Sequence, residues 1–303
     1  VFPDGAFQAE GESAPVIAAG RGHAPADGAG MPGSEAVMTS KTTGACPFLL
    51  GTTSYIVPDT ILPNVRMLSR MVDDVELVLF ESPEHSNIPT DAEIHELRLI
   101  ADNRGIGYTI HLPTASKAGA SRKAERRRFL DDARRVIGRC RSLDPRAWIL
   151  HLEGIDGSAG PETVREWEQR CAESIAELRG EVDDSRSIAV ENLGYPWYWH
   201  LDSATRAGLS LCCDTGHLWL HFPEVWESHV AAVMPRTRVM HLHGVAEGRD
   251  HTSLAANENA ELVALLDLLK SSGFDGVVTL EVFNEKDFRE SKEAIQRLWE
   301  RLS

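Results

Sequence analysis

The sequence predicts an α/β chain folded as a (β/α)8 TIM barrel, and three observations carry that expectation. Short apolar runs alternate with longer amphipathic segments through the last 257 of the 303 residues. Eight such strand–helix units can be counted, and about 250 residues is the usual length for eight of them in a closed barrel. Six consecutive strands end on His, Asp or Glu, at the end where this fold assembles its active sites. The competing doubly wound sheet would carry GxGxxG after its first strand, and the sequence there reads GTTSY.

Residues 1–46 are rich in Gly, Ala, Pro and Ser and show neither helical nor strand period, so a flexible tail is expected there, with the barrel spanning 47–303. The strands are expected at 48–55 (FLLGTTSY), 75–82 (VELVLFES), 107–113 (GYTIHLP) and 147–154 (AWILHLEG). Four more follow at 187–194 (SIAVENLG), 209–217 (LSLCCDTGH), 237–244 (TRVMHLHG) and 276–283 (GVVTLEVF). A helix is expected over 90–104, where Thr90 can cap and Ile94, Leu97 and Ile100 share one face. Others are expected at 121–140, 162–178, 259–269 and 286–302.

Lys plus Arg number 31 and Asp plus Glu 46, giving a net charge of −15 that repels polyanions, so nucleic acid is not an expected partner. Five scattered cysteines without CxxC specify neither a disulfide framework nor a thiolate zinc site, and the cytoplasm is the expected compartment. No apolar run approaches the length of a membrane span.

Strand by strand, the candidate residues are His111, then His151 and Glu153, Glu191 and Asn192, Asp214 and His217, His241 and His243, and finally Glu281. Asp250 and His251, in the loop GRDHTS, can fold over the same mouth. Any one of these reads equally as a structural histidine or a rim carboxylate. Together they read as ligands of divalent metal, because so many ionisable groups around one mouth need a cation to offset their burial. Alternation sends His241 and His243 to one side of their strand, which leaves open which of the two is a ligand and which a contact to a ligand or to substrate. Trp197, Tyr198, Trp199 and His200 form an aromatic run suited to a flat ligand, or equally to packing helix on barrel. The RKAERRR run at 122–128 reads as a solvated helix face, Cys212 and Cys213 as packing residues, and Glu81 and Glu153 as carboxylates that position substrate or a ligand.

With these residues in place, the chain resembles the xylose-isomerase-like barrel superfamily, which contains endonuclease IV and sugar epimerases. The resemblance implies that Glu191, Asp214, His241 and Glu281 hold one divalent ion. It further implies, from the endonuclease branch, that His111 and His151 join Glu191 around a second ion, and His217, Asp250 and His251 surround a third. That branch has Asp-x-His in the loop, whereas Asp250 and His251 are adjacent here. Two or three ions are thus expected, zinc first, with manganese or iron as alternatives. The phrases GTTSYIVPDTILPNVRML, VELVLFES, YTIHLPT, VENLGYPWYWH and DTGHL are most similar to cobamide-remodelling phosphodiesterases. These hydrolyse the nucleotide-loop phosphodiester of cobalamin-type corrinoids, releasing cobinamide phosphate and a base riboside. On that resemblance a small-molecule corrinoid is the substrate, Glu191 and Glu281 are catalytic through their ions, Glu153 or His243 orients water, and Trp197, Tyr198, Trp199, His200 and Glu81 contact substrate. The rival activities are a sugar isomerase or epimerase with a single metal, an endonuclease IV-like DNA-repair enzyme, and a noncatalytic corrinoid binder.

Overall fold

The computed structural model describes residues 46–302 except 83–84 and 258–259. The expected tail falls almost wholly outside these residues. Eight parallel strands close into a barrel: β1 (Leu49–Thr53), β2 (Asp74–Val78), β3 (Gly107–His111), β4 (Trp148–Leu150), β5 (Ile188–Glu191), β6 (Ser210–Asp214), β7 (Thr237–Leu242) and, closing onto β1, β10 (Val277–Leu280). Two short strands, β8 (Gly244–Ala246) and β9 (Arg249–Thr252), form an antiparallel hairpin beside it. Helices α1 (Ile61–Leu68), α2 (Asp91–Arg104), α3 (Lys123–Cys140), α4 (Pro161–Leu178), α5 (Tyr198–Ala207), α6 (Thr215–His221), α7 (Trp226–Val233), α8 (Ala260–Ser272) and α9 (Glu285–Leu302) surround the strands.

Every expected strand exists but is shorter than its apolar run. At 209–217 the strand ends at Asp214 because that carboxylate accepts the amide of His217 and so starts α6. His217 therefore sits on a helix. The loop GRDHTS is a hairpin whose tip, Glu247-Gly248, takes positive φ at both residues (54° and 75°). That is the two-residue turn whose twist matches the flanking strands. On α2, Thr90 and Glu93 close a capping box and Gly105 ends the helix in the left-handed region.

The alternation of side chains along the strands builds the interior in layers. Ile149, Ala189, Cys212, Val239 and Val277, with Ala147, form a small apolar plug inside the barrel. The next inward position along these strands is His151, Glu191, Asp214, His241 or Thr279, so the ligand candidates rest directly on the plug. The opposite faces, such as Val190, Leu211, Met240 and Leu242, pack with the helices in the main core. Cys212 thus faces inward while Cys213 faces the helices, and all five cysteines are unpaired.

Candidate metal centre

Among the described residues five groups of donor atoms converge in the barrel; two of them add Cys212 to Glu191 and His241, and Glu76 to His111 and Glu281, and the other three hold the candidates. Glu191, Asp214, His241 and Glu281 each bring one donor within 4.8 Å of the others, and His111, His151 and Glu191 do the same. His217, His243 and His251 form a third group beside them. Glu191 belongs to the first two: its Oε2 is 3.3 Å from His241 Nδ1, 3.1 Å from His151 Nε2 and 3.7 Å from His111 Nε2.

Anchoring of the far nitrogen decides which imidazole nitrogen each ring presents. His111 Nδ1 lies 3.0 Å from the Leu112 carbonyl, so it donates there and leaves Nε2 facing Glu191. His217 Nδ1 donates to the Asn192 carbonyl (3.0 Å) and His251 Nδ1 to the Glu281 carbonyl (3.1 Å). Their Nε2 atoms then stand 4.0 and 3.9 Å from Asp250 Oδ2. His241 is held through Nε2 by Glu76 Oε2 at 3.0 Å, both side chains fully buried, so Nδ1 faces the centre.

His243 differs. Its Nδ1 accepts the backbone N–H of His251 (2.9 Å) and its Nε2 donates to the Asp214 carboxylate (3.2 Å), so both nitrogens are engaged in a ring that is fully buried. The expected role of orienting water does not fit that placement; His243 fixes Asp214 instead, and Asp250 Oδ2, at 4.0 and 3.9 Å, is the carboxylate that faces His217 and His251. Gly216 makes room for this, since a Cβ there would lie 2.0 Å from the His243 ring. Asn192 braces Asp214 from the other side, its amide exchanging two 2.8 Å hydrogen bonds with the Asp214 backbone. His251 has a φ of 50°, a left-handed conformation that costs on the order of 1 kcal/mol or more in a non-glycine residue and recurs at functional sites.

The donor set fits divalent metal on two counts. His241 Nδ1 and Glu281 Oε2 are 3.1 Å apart and both buried, yet neither has a hydrogen-bond partner among the described residues. Ligands on a tetrahedral ion with bonds of about 2.0–2.1 Å stand roughly 3.3 Å apart, which is the spacing seen here. The charges agree. Burial works to raise the Glu191 and Glu281 carboxyls, but His151 and His241 beside Glu191, and His241 and His251 beside Glu281, hold both well below the usual range. Burial likewise opposes charge on His151, but Glu191 and Glu153 lift it to about 10. Protons thus stand where the carboxylates call for cations.

The remaining candidates are spread more widely. Glu153 stands at the partly open mouth, Oε1 3.4 Å from His151 Nδ1 and Oε2 3.6 Å from Lys117. Glu81 is buried and ion-paired with Arg135 of α3, which removes it from the expected substrate contacts. The WYWH run is split by the helical turn. Trp199 packs against Tyr195 and Trp167, His200 is buried and its pKa is pushed down to about 3, and Trp197 leans on His229. Tyr198 alone of the four is exposed, at 55%. Trp199 and His200 are therefore packing residues rather than a ledge. Glu76 went unread in the sequence, because a carboxylate inside VELVLFES has no neighbour in the chain to mark it as the partner of His241.

Residues 70–301 match the family of xylose isomerase-like TIM barrels, and the chain belongs to that family. Among solved structures it is similar to a D-tagatose 3-epimerase-like protein (TM-score 0.71, 19% identity, 84% of this chain and 98% of that one). It is also similar to endonuclease IV from Thermus thermophilus (0.63, 16%, 84% and 100%) and to D-psicose 3-epimerase from Clostridium cellulolyticum (0.58, 16%, 84% and 95%). At these identities the likeness fixes the fold. No curated protein matches the chain.

Proposed function

We propose that the chain is a metal-dependent phosphodiesterase that hydrolyses the nucleotide loop of cobamides to cobinamide phosphate and a base riboside. The observation that carries the hydrolase reading is Glu191, whose carboxylate is shared between the His111/His151 group and the Asp214/His241/Glu281 group, with His217, Asp250 and His251 adjoining. A donor set of this size exceeds what one ion can use. Divalent ions bound there would supply Lewis-acid chemistry, activating water and offsetting charge on the phosphoryl oxygens.

The chain's own residues hold that arrangement and place the substrate. Glu76, His243 and Asn192 keep His241 and Asp214 in register, so little reorganisation is needed as the phosphodiester enters. Glu153, its carboxyl held below the usual range by His151 and Lys117 against the effect of burial, remains an acceptor at the mouth and orients the attacking water. Water oxygen joins phosphorus, the bond from phosphorus to the ribosyl oxygen breaks, and the proton lost by water is balanced by the one gained by that leaving oxygen. Tyr198, with Trp197 behind it, offers the aromatic surface for the corrinoid or its base. The corrinoid substrate is supported by the strand-end phrases and by a net charge of −15 ill suited to DNA.

A sugar epimerase is the second reading, favoured by Glu191 and Glu281 both standing within 3.3 Å of His241 Nδ1, where two carboxylates could exchange a proton across a ketose. The test is incubation of metal-loaded protein with cobalamin, abasic DNA and a ketohexose in separate reactions, followed by chromatography. Release of cobinamide phosphate is expected. Cleaved DNA or epimerised sugar with cobalamin untouched would overturn the substrate.

A further inference from the structure

The end of the barrel opposite the metal centre holds a second concentration of charge. Arg146 lies just before β4, Arg186 just before β5, and Arg236 and Arg238 flank the first residue of β7. All four line one cavity of about 590 Å3, together with Asp275 ahead of β10. That volume lies within the range of roughly 300–1,000 Å3 typical of small-ligand sites. In a chain of net charge −15, four guanidiniums around one cavity reverse the local sign.

The partners of these arginines leave positive charge uncancelled. Arg146 Nε is 3.2 Å from buried Asp74, Arg186 pairs with Asp184 at 3.0 Å, and Asp275 is the carboxylate that lines the cavity itself. Arg236 and Arg238 are held instead by neutral oxygens: Arg236 Nη2 donates to the Leu209 carbonyl (2.7 Å) and Arg238 Nε to the Arg146 carbonyl. Such bonds fix a guanidinium without neutralising it. Arg236 Nε is buried and has no hydrogen-bond partner among the described residues.

We propose that this N-terminal mouth of the barrel binds a phosphate-bearing anion of pyrophosphate size or larger. A planar guanidinium fork matches phosphate oxygens two at a time, and a single carboxylate would satisfy one fork only. A diphosphate carries enough oxygens and charge to meet Arg236 and Arg238 together and to reach Arg146 or Arg186. The site sits on strand entries, which are rigid, and it does not depend on the chemistry at the other end.

The test is calorimetric titration of the full chain, freed of metal by chelation, with inorganic pyrophosphate and separately with ADP. One pyrophosphate per chain is expected. Arg236→Gln with Arg238→Gln should weaken binding about tenfold or more, the loss of at least one charge-assisted contact. His111→Ala with His151→Ala should bind as the unaltered chain does. Should the double arginine variant fail to fold, exposed Arg186→Gln is read instead, with a several-fold weakening expected. Equal affinity for ADP and pyrophosphate assigns recognition to the phosphates alone, and tighter ADP adds the nucleoside. Absence of binding at millimolar pyrophosphate, binding unmoved by the arginine substitutions, or binding lost with the histidines would each overturn the proposal.

Discussion

A neutral imidazole has one nitrogen to offer a ligand and one N–H to place, and at His241 the buried carboxylate of Glu76 decides which is which. Glu76→Ala is expected to lower metal affinity by about 10- to 100-fold, read as metal retained after equilibration with a chelator, and Glu76→Gln to do less because its amide oxygen still accepts the Nε2–H. Full retention in Glu76→Ala would remove Glu76 from the centre. Gly216→Ala tests the His243 contact: a Cβ 2.0 Å from the ring forces a shift and should cost about 1–3 kcal/mol in a denaturant titration, along with metal. Most of the residues that reach the centre directly were legible because they close apolar strands, as His151 follows Ile149 and His241 follows Val239 by two positions. Among their supports, His243 could be read as a contact beside the ligand on its own strand, but Glu76 could not, since it meets His241 only from across the barrel. WYWH misled for a related reason: contiguous residues on a helix point about 100° apart, so a run in sequence is not a surface.

Each strand was foreseeable from its apolar run, but not where it would stop. At β6 the chain stays apolar and then polar without a break, and it is the Asp214 carboxylate, capping α6, that ends pairing. The β8–β9 hairpin was read as a loop, since polar RDHT lacks an alternating apolar face and the Glu247-Gly248 turn is less marked than Asn-Gly. Strand entry matters energetically at β2. Asp74 is fully buried, and burial pushes its carboxyl up to about 7 even with Arg146 beside it. A folded value above the unfolded one near 3.8 means that its contribution is complete below about pH 4 and is lost as pH rises toward 7. Asp74→Asn should therefore flatten the fall in stability between those values, measured as unfolding midpoints across the range. Parallel curves for the two proteins would show that Asp74 does not drive the slope.

At the scale of the whole molecule, the shared Glu191 ties one donor group to the next. Two or three divalent ions per chain are expected by mass spectrometry, and a single ion at saturation would favour the epimerase reading. Glu191→Gln should reduce occupancy and abolish turnover, whereas Arg127→Ala, on the solvent side of α3, should change neither. Because His151 is held at about 10 in the structure, loading should expel a proton and weaken as pH falls, seen as buffer-dependent heats of binding. The donor groups are not equally embedded. Glu191, Asp214, His241 and Glu281 belong to the closed barrel or lie one residue past it, but Asp250 and His251 ride on a two-stranded hairpin that the barrel does not pair with. A hairpin of that size is marginal by itself and can open while the barrel stays shut. The protein therefore has one donor group whose lifetime is set by a local latch rather than by global unfolding: an ion there should exchange fastest, and amide hydrogens of 244–252 should trade with solvent quickly until that ion arrives.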